Sequence, residues 1–571
     1  AREGWQKVPR RRVVSDHADG NLRRLETHVF PAIGSLPIRE VTARVAAVLA
    51  PGSSERVEQT KAVAALERAV AASGGGDKGR AAVAEKVAYT WFNRIVALRF
   101  MDANGYTGIG IVSPQAGIEV GQPEILSEAK RGVVDTEVAS HSTRTVVAGL
   151  LDGTLGSSDP QGEAYALLLA DYCRYWNKAM PFMFEREGDY TELLIPANLL
   201  ADDSVLNRAV TVLTEDVCKD VEVIGWLYQF YISERKDEVF AGFKKNKKAG
   251  ADEIPAATQL FTPHWIVRYL VENSLGRLWM LNRPSSGLAE QMEYYRPSAV
   301  GESGFLKITG PEELTVIDPA CGSGHMLTYA FDLLHAIYEE EGYAPSEIPS
   351  LILANNIYGA EIDPRAGALA SFALTMKARA RQRTFLNREA RPHIAVLEPA
   401  VFSTEELRFL GAEEDSAFWN QFGYADTLGA LVQPSAAGVA RARTQVAAKA
   451  SDEDLLAADV VDRANVLVRC AEILSGKYAV VVANPPYMGW KNMGGVLSSW
   501  VKDQFLLGKQ DLYAAFVLRA RAFVLQGGTV AMITGDSWLT MKTFAGLRQE
   551  LLERCCVPSV LHLQDSSRHA D

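Results

Sequence analysis

Apolar residues recur at helical spacing from Ser53 to about Lys248, most clearly in "AVAEKVAYTWFNRIVALRFM" and "CKDVEVIGWLYQFYISERKDEVF". Glycine and serine clusters at Ser73 to Gly76 and Gly153 to Ser158 punctuate that stretch as loops. Its aromatic residues, among them Trp91, Phe92, Trp226, Tyr228 and Tyr231, suit either a packed core or a nucleic-acid surface, and helical spacing favours the core. Beyond Ile254-Pro255 the pattern changes to short apolar runs separated by helical stretches. Strands are predicted at Leu314 to Asp318, Ile357 to Glu361, His393 to Glu398, Tyr478 to Ala483, Thr529 to Thr534 and Ser559 to Leu563. Strands alternating with helices predict an α/β fold with a doubly wound, mostly parallel sheet. The stretch from about 405 to 468 is too long for a simple connection and reads as a mostly helical insertion. Three parts follow: residues 1–50, where Arg10 to Arg12 precede a short amphipathic stretch; an all-α region at 51–250; and the α/β domain at 251–571.

Composition narrows the class without naming it. With 571 residues, 48% of them hydrophobic and 23% charged, the chain has the make-up of a multidomain globular protein. No apolar run is long enough to span a bilayer, and no signal-peptide order is visible, so no membrane partner is expected. The six cysteines (Cys173, Cys218, Cys321, Cys470, Cys555, Cys556) lack metal-ligand spacing. They point to a reducing, cytoplasmic protein with no metal site. A net charge of −11 argues against a protein that coats nucleic acid, although one basic cleft on an acidic body remains compatible with it.

The first chemistry-bearing segment is "LTVIDPACGSGHMLTYAFDLL", which reads strand, tight glycine turn, helix. Asp318 closes the strand, Ala320 and Cys321 enter the turn, and Gly322 and Gly324 let backbone approach a ligand at the carboxyl end of the strand. The spacing is not G-x-G-x-x-G, and no Lys-Ser/Thr pair follows, so dinucleotide and triphosphate sites lose ground. Alone, such a turn is as often merely a turn. The next strand, "IYGAEIDP", ends in Glu361, with Asp363 two residues on. A carboxylate there accepts ribose hydroxyls, or else caps the following helix. Together the two segments resemble the cofactor motifs of class I methyltransferases, which bind S-adenosylmethionine. Upstream, "TQLFTPHWIVRYLVENSLG" resembles the motif of adenine methyltransferases at the methionine end of that cofactor, with Phe261, Thr262 and Pro263 as its signature. A plain Thr-Pro helix start is the alternative.

The second chemistry-bearing segment is "YAVVVANPPYMGW". A continuous apolar strand runs into Asn484, Pro485, Pro486 and Tyr487, and two prolines cannot continue a central strand. They set a stiff turn at the sheet's carboxyl edge. An exocyclic amino nitrogen is a poor nucleophile because its lone pair is delocalised into the ring. Two acceptors, the Asn484 side-chain oxygen and the Pro485 carbonyl, suit the task of holding its two hydrogens and freeing that lone pair. Tyr487 suits stacking on a base extruded from a duplex. Downstream, "KQDLYAAFVLRARAFV" resembles the segment after the catalytic turn in adenine methyltransferases, with Asp511, Tyr513 and Phe516 beside the substrate pocket. For Phe516, sheet packing is the favoured reading.

The stretches "VAYTWFNRIVALRFMD", "EVIGWLYQFYISERKDEVF", "QLFTPHWIVRYLVENSLGRLW" and "DPACGSGHML" resemble the PglX (BrxX) family, the adenine methyltransferases of BREX phage-defence systems, over roughly residues 80 to 571. The resemblance implies methylation of adenine N6 in double-stranded DNA, S-adenosylmethionine as cofactor and other BREX proteins as partners. The family's chains are much longer, so a C-terminal target-recognition domain is expected to lie outside these residues. Separately, "LETHVFPAIGSLPIREVT" resembles the start of the core-binding segment of tyrosine recombinases, and a short helical appendage accounts for it equally well. Asn-Pro-Pro-Tyr also occurs in methyltransferases acting on a glutamine amide or on RNA. Those substrates, and a non-catalytic cofactor-binding scaffold, stay open as alternatives.

Overall fold

The computed structural model describes residues 36–118, 121–258, 262–298, 301–388, 390–449 and 455–563. The chain divides into two compact units, Ala1–Tyr231 and Ile232–Asp571.

The first unit is helical where described. Helix α1 (Leu36–Val48) packs on the long helix α2 (Gly76–Ala103), burying Val41, Val45 and Val48. Trp91 and Phe92 are both buried, as core residues at helical spacing should be. The Trp91 indole N–H donates to the Thr191 carbonyl at 2.9 Å. Beside it the buried Arg94 guanidinium lies 4.8 Å over the Trp91 ring and donates to the Met183 carbonyl and the Thr191 hydroxyl. A buried guanidinium is tolerated because a backbone carbonyl, a hydroxyl, the Glu185 carboxylate at 3.4 Å and an aromatic face replace water.

The second unit is built on a parallel sheet. Among the described residues it has five strands: β1 (Val316–Asp318), β2 (Ile357–Glu361), β3 (His393–Val396), β4 (Tyr478–Ala483) and β5 (Val524–Met532), ordered β3-β2-β1-β4-β5. Every residue of β1 and β4 is buried, so both faces are covered, and that explains why β4 reads as one unbroken apolar run. Helix α3 (His325–Glu340) follows β1 and packs against β1 and β2, while α4 (Pro364–Arg381) follows β2. A single core under them joins Trp279, Leu327, Phe331, Ile337, Ile357 and Leu374.

The β3–β4 connection is a series of helices ending in α5 (Leu455–Ser475), which packs on β2 and β3. It is tied to α6 (Leu512–Phe523) by Arg519, whose buried guanidinium donates to the carbonyls of Ala430 at 2.7 Å, Val432 at 3.0 Å and Leu474 at 2.6 Å. Burial lowers its pKa to about 9, and no carboxylate lies within ion-pair distance among the described residues. Arg519→Leu orphans three carbonyls at once. The expected cost is ~3 kcal/mol or more, about 1 kcal/mol for each, read as a lower midpoint in urea unfolding.

β1 and β3 are each two residues shorter than predicted, starting at Val316 and ending at Val396, and two other predicted strands are corrected more deeply. The strand predicted at Thr529 to Thr534 runs from Val524 to Met532, with an irregularity between its pairings of Val524 with Tyr478 and of Thr529 with Val480. Gly527 sits there at φ +78°, with the Leu306 N–H bonded to its carbonyl at 2.6 Å, and a Cβ would come within 2.7 Å of that nitrogen. Ser559 to Leu563 form no strand: among the described residues no strand pairs with their backbone, only the side chains of Ser559 and His562 are bonded, to Tyr269 and Asp536, and Val560, Leu561 and Leu563 are exposed. An apolar pentapeptide becomes a strand only where another strand can pair with it. Among the described residues, no helix is long and apolar enough to cross a membrane.

Candidate active site

The strand order reverses between β1 and β4. From β1 the chain builds outward through β2 and β3, then crosses back to start β4 on β1's other side. In an open parallel sheet the reversal leaves a crevice at the carboxyl ends of the two strands. The two chemistry-bearing turns follow those two ends, Asp318 closing β1 and Asn484 succeeding Ala483 of β4.

After β1 the chain turns through Gly322 at φ +55° and Gly324 at φ +91°. Side chains rarely adopt that region, and at Gly324 a Cβ would also sit 3.1 Å from the Ala370 Cβ. The Cys321 N–H bonds to the Ala360 carbonyl at 3.0 Å and the Gly324 N–H to the Cys321 carbonyl at 2.9 Å, locking the turn to β2. Cys321 itself is buried, and burial raises its thiol pKa further. It packs under the turn as a neutral side chain. The Asp318 carboxylate accepts the Ala320 N–H at 3.0 Å. Burial pushes its pKa up to about 8, against the lowering effect of that bond, and the Glu361 charge adds to the rise.

Glu361 accepts three backbone N–H groups: Ile362 and Asp363 on Oε1, both at 2.9 Å, and Gly322 on Oε2 at 2.8 Å. These bonds favour the charged form, but desolvation outweighs them and the pKa rises to about 7. A carboxylate has about four lone-pair positions. Oε1 is full and Oε2 has room for one more donor. Asp363 caps α4 by accepting the Arg365 N–H at 2.9 Å, and its carboxylate also pairs with the Arg365 guanidinium at 2.7 Å. That is the capping role a strand-end acid can take, occupied here by Asp363 in place of Glu361.

The second turn is joined to a segment 222 residues away. The Asn484 side-chain N–H donates to Oγ1 of the buried Thr262 at 3.0 Å. Thr262 and Pro263 lead into the helix His264–Val271, with Pro263 at its N-cap; Phe261 lies outside the described residues. Pro485 is buried, while Pro486 and Tyr487 are partly exposed. The Tyr487 hydroxyl donates to the Ile533 carbonyl at 2.8 Å, and its ring lies 5.8 Å from that of Tyr513. Asp511 caps α6 and accepts the Met488 N–H at 3.1 Å, bracing the turn from behind. Tyr513 is buried, bonded through its hydroxyl to Ser537 at 2.8 Å and stacked on Phe544. Phe516 is buried in the packed side of α6. The structure therefore gathers Thr262, Asn484 and Tyr487 at one end of the crevice and Asp318, Gly322, Gly324 and Glu361 at the other. Asp511 and Tyr513 support the turn, and Phe516 is not brought to it.

Sequence reading missed a cluster that braces the Thr262 helix. The fully buried Glu272 accepts the Arg268 guanidinium at 3.2 Å, the Tyr329 hydroxyl at 2.6 Å and the Tyr294 N–H at 2.5 Å. Arg268 lies over the rings of Tyr294 and Tyr329 at 5.2 and 5.6 Å. Tyr329 belongs to α3, so the cluster ties the helix after Thr262 to the helix after the glycine turn. The one available signal was the charged pair Arg268 and Glu272 at i, i+4 in an apolar helix.

A crevice at a strand-order reversal, with a nucleoside-type turn on one side and a stiff polar turn on the other, is the architecture of class I methyltransferases, and this chain has that fold. Residues 355–568 match the Eco57I restriction-modification methylase family. The chain is 38% identical to the adenine-specific methyltransferase BrxX of Escherichia coli O9:H4 (strain HS), over 85% of this chain and 43% of that protein. It is 34% identical to the adenine-specific methyltransferase PglX of Lacticaseibacillus casei (strain Zhang), over 82% of this chain and 41% of that protein. It is thus a relative of these adenine-specific methyltransferases and spans about two-fifths of their length. Among solved structures, a nuclease-deletion mutant of the Type ISP restriction-modification enzyme LlaGI, in complex with a DNA substrate mimic, aligns over 94% of this chain and 32% of that one at 13% identity and a TM-score of 0.39.

Proposed function

We propose that this chain carries the catalytic part of an S-adenosylmethionine-dependent methyltransferase acting on the N6 amino group of adenine in double-stranded DNA. The observation that carries the reading is the Asn484–Thr262 hydrogen bond, which couples the amide of the catalytic turn to the upstream motif at the mouth of the crevice.

The donor set fits the cofactor. Glu361 retains one acceptor position on Oε2, the glycine turn brings backbone close, and two buried acids suit a ligand bearing hydroxyls and positive charge. To take both ribose hydroxyls, Glu361 would have to release the Gly322 N–H, because three of its positions are already filled. When bound, S-adenosylmethionine supplies an electrophilic methyl group on a sulfonium centre. The chain's own residues then prepare the acceptor. The Asn484 oxygen, opposite the nitrogen bonded to Thr262, and the Pro485 carbonyl accept the two amino hydrogens of adenine and draw its nitrogen toward tetrahedral geometry. Tyr487, anchored through its hydroxyl, offers a ring for the extruded base at a stacking gain of about 1–3 kcal/mol.

The likeness to PglX and BrxX also supports a role beside other BREX proteins in phage defence. Tritiated-methyl transfer from S-adenosylmethionine is the test, with phage DNA, a release factor and ribosomal RNA offered in parallel. Label in DNA, recovered as N6-methyladenine, is the expected result. Label in the protein or the RNA would overturn the substrate assignment and leave the planar-nitrogen chemistry standing.

A further inference from the structure

The turn that ends in Tyr487 runs on into a short loop carrying the exposed aromatic residue Trp490. Its surface is 49% exposed, whereas the indoles of Trp91, Trp279 and Trp419 are almost wholly buried. The loop under it is firmly held. The Trp490 N–H donates to the Gln510 carbonyl at 3.1 Å, Gly489 bridges Asp511, the Asn492 N–H returns to the Gly489 carbonyl at 2.9 Å, and the Ala249 N–H donates to the Asn492 carbonyl at 3.0 Å. A rigid backbone thus presents an indole that could have been packed, and presenting an aromatic on a fixed frame keeps the entropic cost of contact low.

The flanking segment carries three lysines beside two acids, the exposed Asp503 and the Asp511 that bridges Gly489. Lys491 lies 5.9 Å from the Trp490 ring centre, and Lys502 and Lys509 are exposed on the next turns, beside Leu506 at 59% exposure and Leu507 at 38%. Among the described residues no carboxylate lies within ion-pair distance of any of the three lysines, although Asp503 is exposed in the same stretch. In a chain of net charge −11, an exposed indole with Lys491 beside it and Lys509 next to its Gln510 partner marks a surface complementary to a polyanion with flat faces.

We propose that Trp490 stacks on a base of the DNA next to the target adenine, with Lys491 and Lys509 neutralising neighbouring phosphates. This rests on the reading of the chain as a DNA methyltransferase and adds to it a contact outside the catalytic turn. Such a residue helps open the stack where the adenine leaves it, and it acts through a base, not through the reacting atoms.

The test is fluorescence anisotropy of the full chain with a fluorescein-labelled duplex carrying one mismatched adenine, at low and at physiological salt. Calorimetric titration with S-adenosylmethionine runs alongside. Trp490→Ala is expected to weaken DNA binding ~10-fold and Trp490→Phe less, because stacking of one base is worth that much. Lys491→Ala and Lys509→Ala are each expected to reduce the salt slope by about one. Cofactor affinity stays unchanged throughout, since none of these side chains belongs to the cofactor turn. DNA binding and transfer by the wild type, with Trp490→Ala equal to it, would sink this proposal alone. Absence of DNA binding by the wild type overturns it too, and methyl transfer to protein or RNA in that case removes the underlying reading as well. Self-association lost in Trp490→Ala would assign the patch to a second copy and overturn the DNA contact.

Discussion

Asn484→Ala should lower methyl transfer to DNA by at least ~10²-fold, the scale set by removing one preorganised polar group from a reacting centre, while S-adenosylmethionine binds nearly as before. An adenine amino hydrogen needs an acceptor, and on Asn484 that is the side-chain oxygen, whereas its amide N–H donates to Thr262; alanine has neither group. The cofactor contacts assigned to Glu361 and the glycine turn do not pass through Asn484, and the buried Thr262 loses only one donor. Asn484→Asp separates position from chemistry. It keeps acceptor oxygens at the same place, and the Thr262 hydroxyl can donate to one of them, so it should retain more activity than Ala. Substantial transfer by the alanine variant, or a cofactor affinity that falls in step with the rate, would show that Asn484 is a structural residue of the turn. Thr262→Val removes the hydroxyl and frees the amide to rotate, so a smaller loss in the same direction is expected.

The site was legible in the sequence wherever one strand carries its own turn. The bounds of β2 and β4 coincide with the predicted strands, because the apolar run stops abruptly at Glu361 and at Asn484. The remainder depends on partners far away in the chain. Nothing in the sequence near Thr262 announces that its hydroxyl meets an amide 222 residues later. Arg519 reads as one basic residue on a helix, and only the fold brings three carbonyls to it from two other segments. The start of the last sheet strand at Val524 was not legible, because the irregularity at Gly527, where Leu306 closely approaches the backbone, depends on a segment far away in the chain. At Ser559 to Leu563 the composition suggested a strand, but pairing is a property of the neighbour and not of the five residues themselves. For Asp511 and Tyr513 the sequence located the loop but not its contacts: Asp511 meets the Met488 N–H and Tyr513 meets the Tyr487 ring, beside the Asn484–Tyr487 turn.

Affinity for S-adenosylmethionine should fall at least about tenfold as pH drops from 8 to 6, the share due to Glu361, while the cofactor-free fold becomes more stable over the same range. Glu361 titrates near 7 and Asp318 near 8 in the cofactor-free protein, both above their ordinary values because burial disfavours the charged carboxylate. Raised carboxyl pKa values contribute stability that is whole below the ordinary range of about 4 and is lost as pH rises through 7 for Glu361 and 8 for Asp318. Cofactor binding has the opposite requirement. The ribose hydroxyls need acceptors, and the positive charge of the cofactor favours the carboxylate, so below pH 7 Glu361 must first give up a proton and each further unit costs about a factor of ten. Glu361→Gln is the control: it cannot titrate, so its affinity should be weaker at pH 8 and should lack the component of pH dependence due to Glu361. Subtracting the two profiles also removes any titration of the cofactor's own amino group, which is common to both. Calorimetric titration across this range measures the affinity, and thermal unfolding without cofactor measures the stability. Equal pH profiles for the wild type and Glu361→Gln would remove Glu361 from the cofactor site and leave it as a carboxylate that only holds the Gly322 turn.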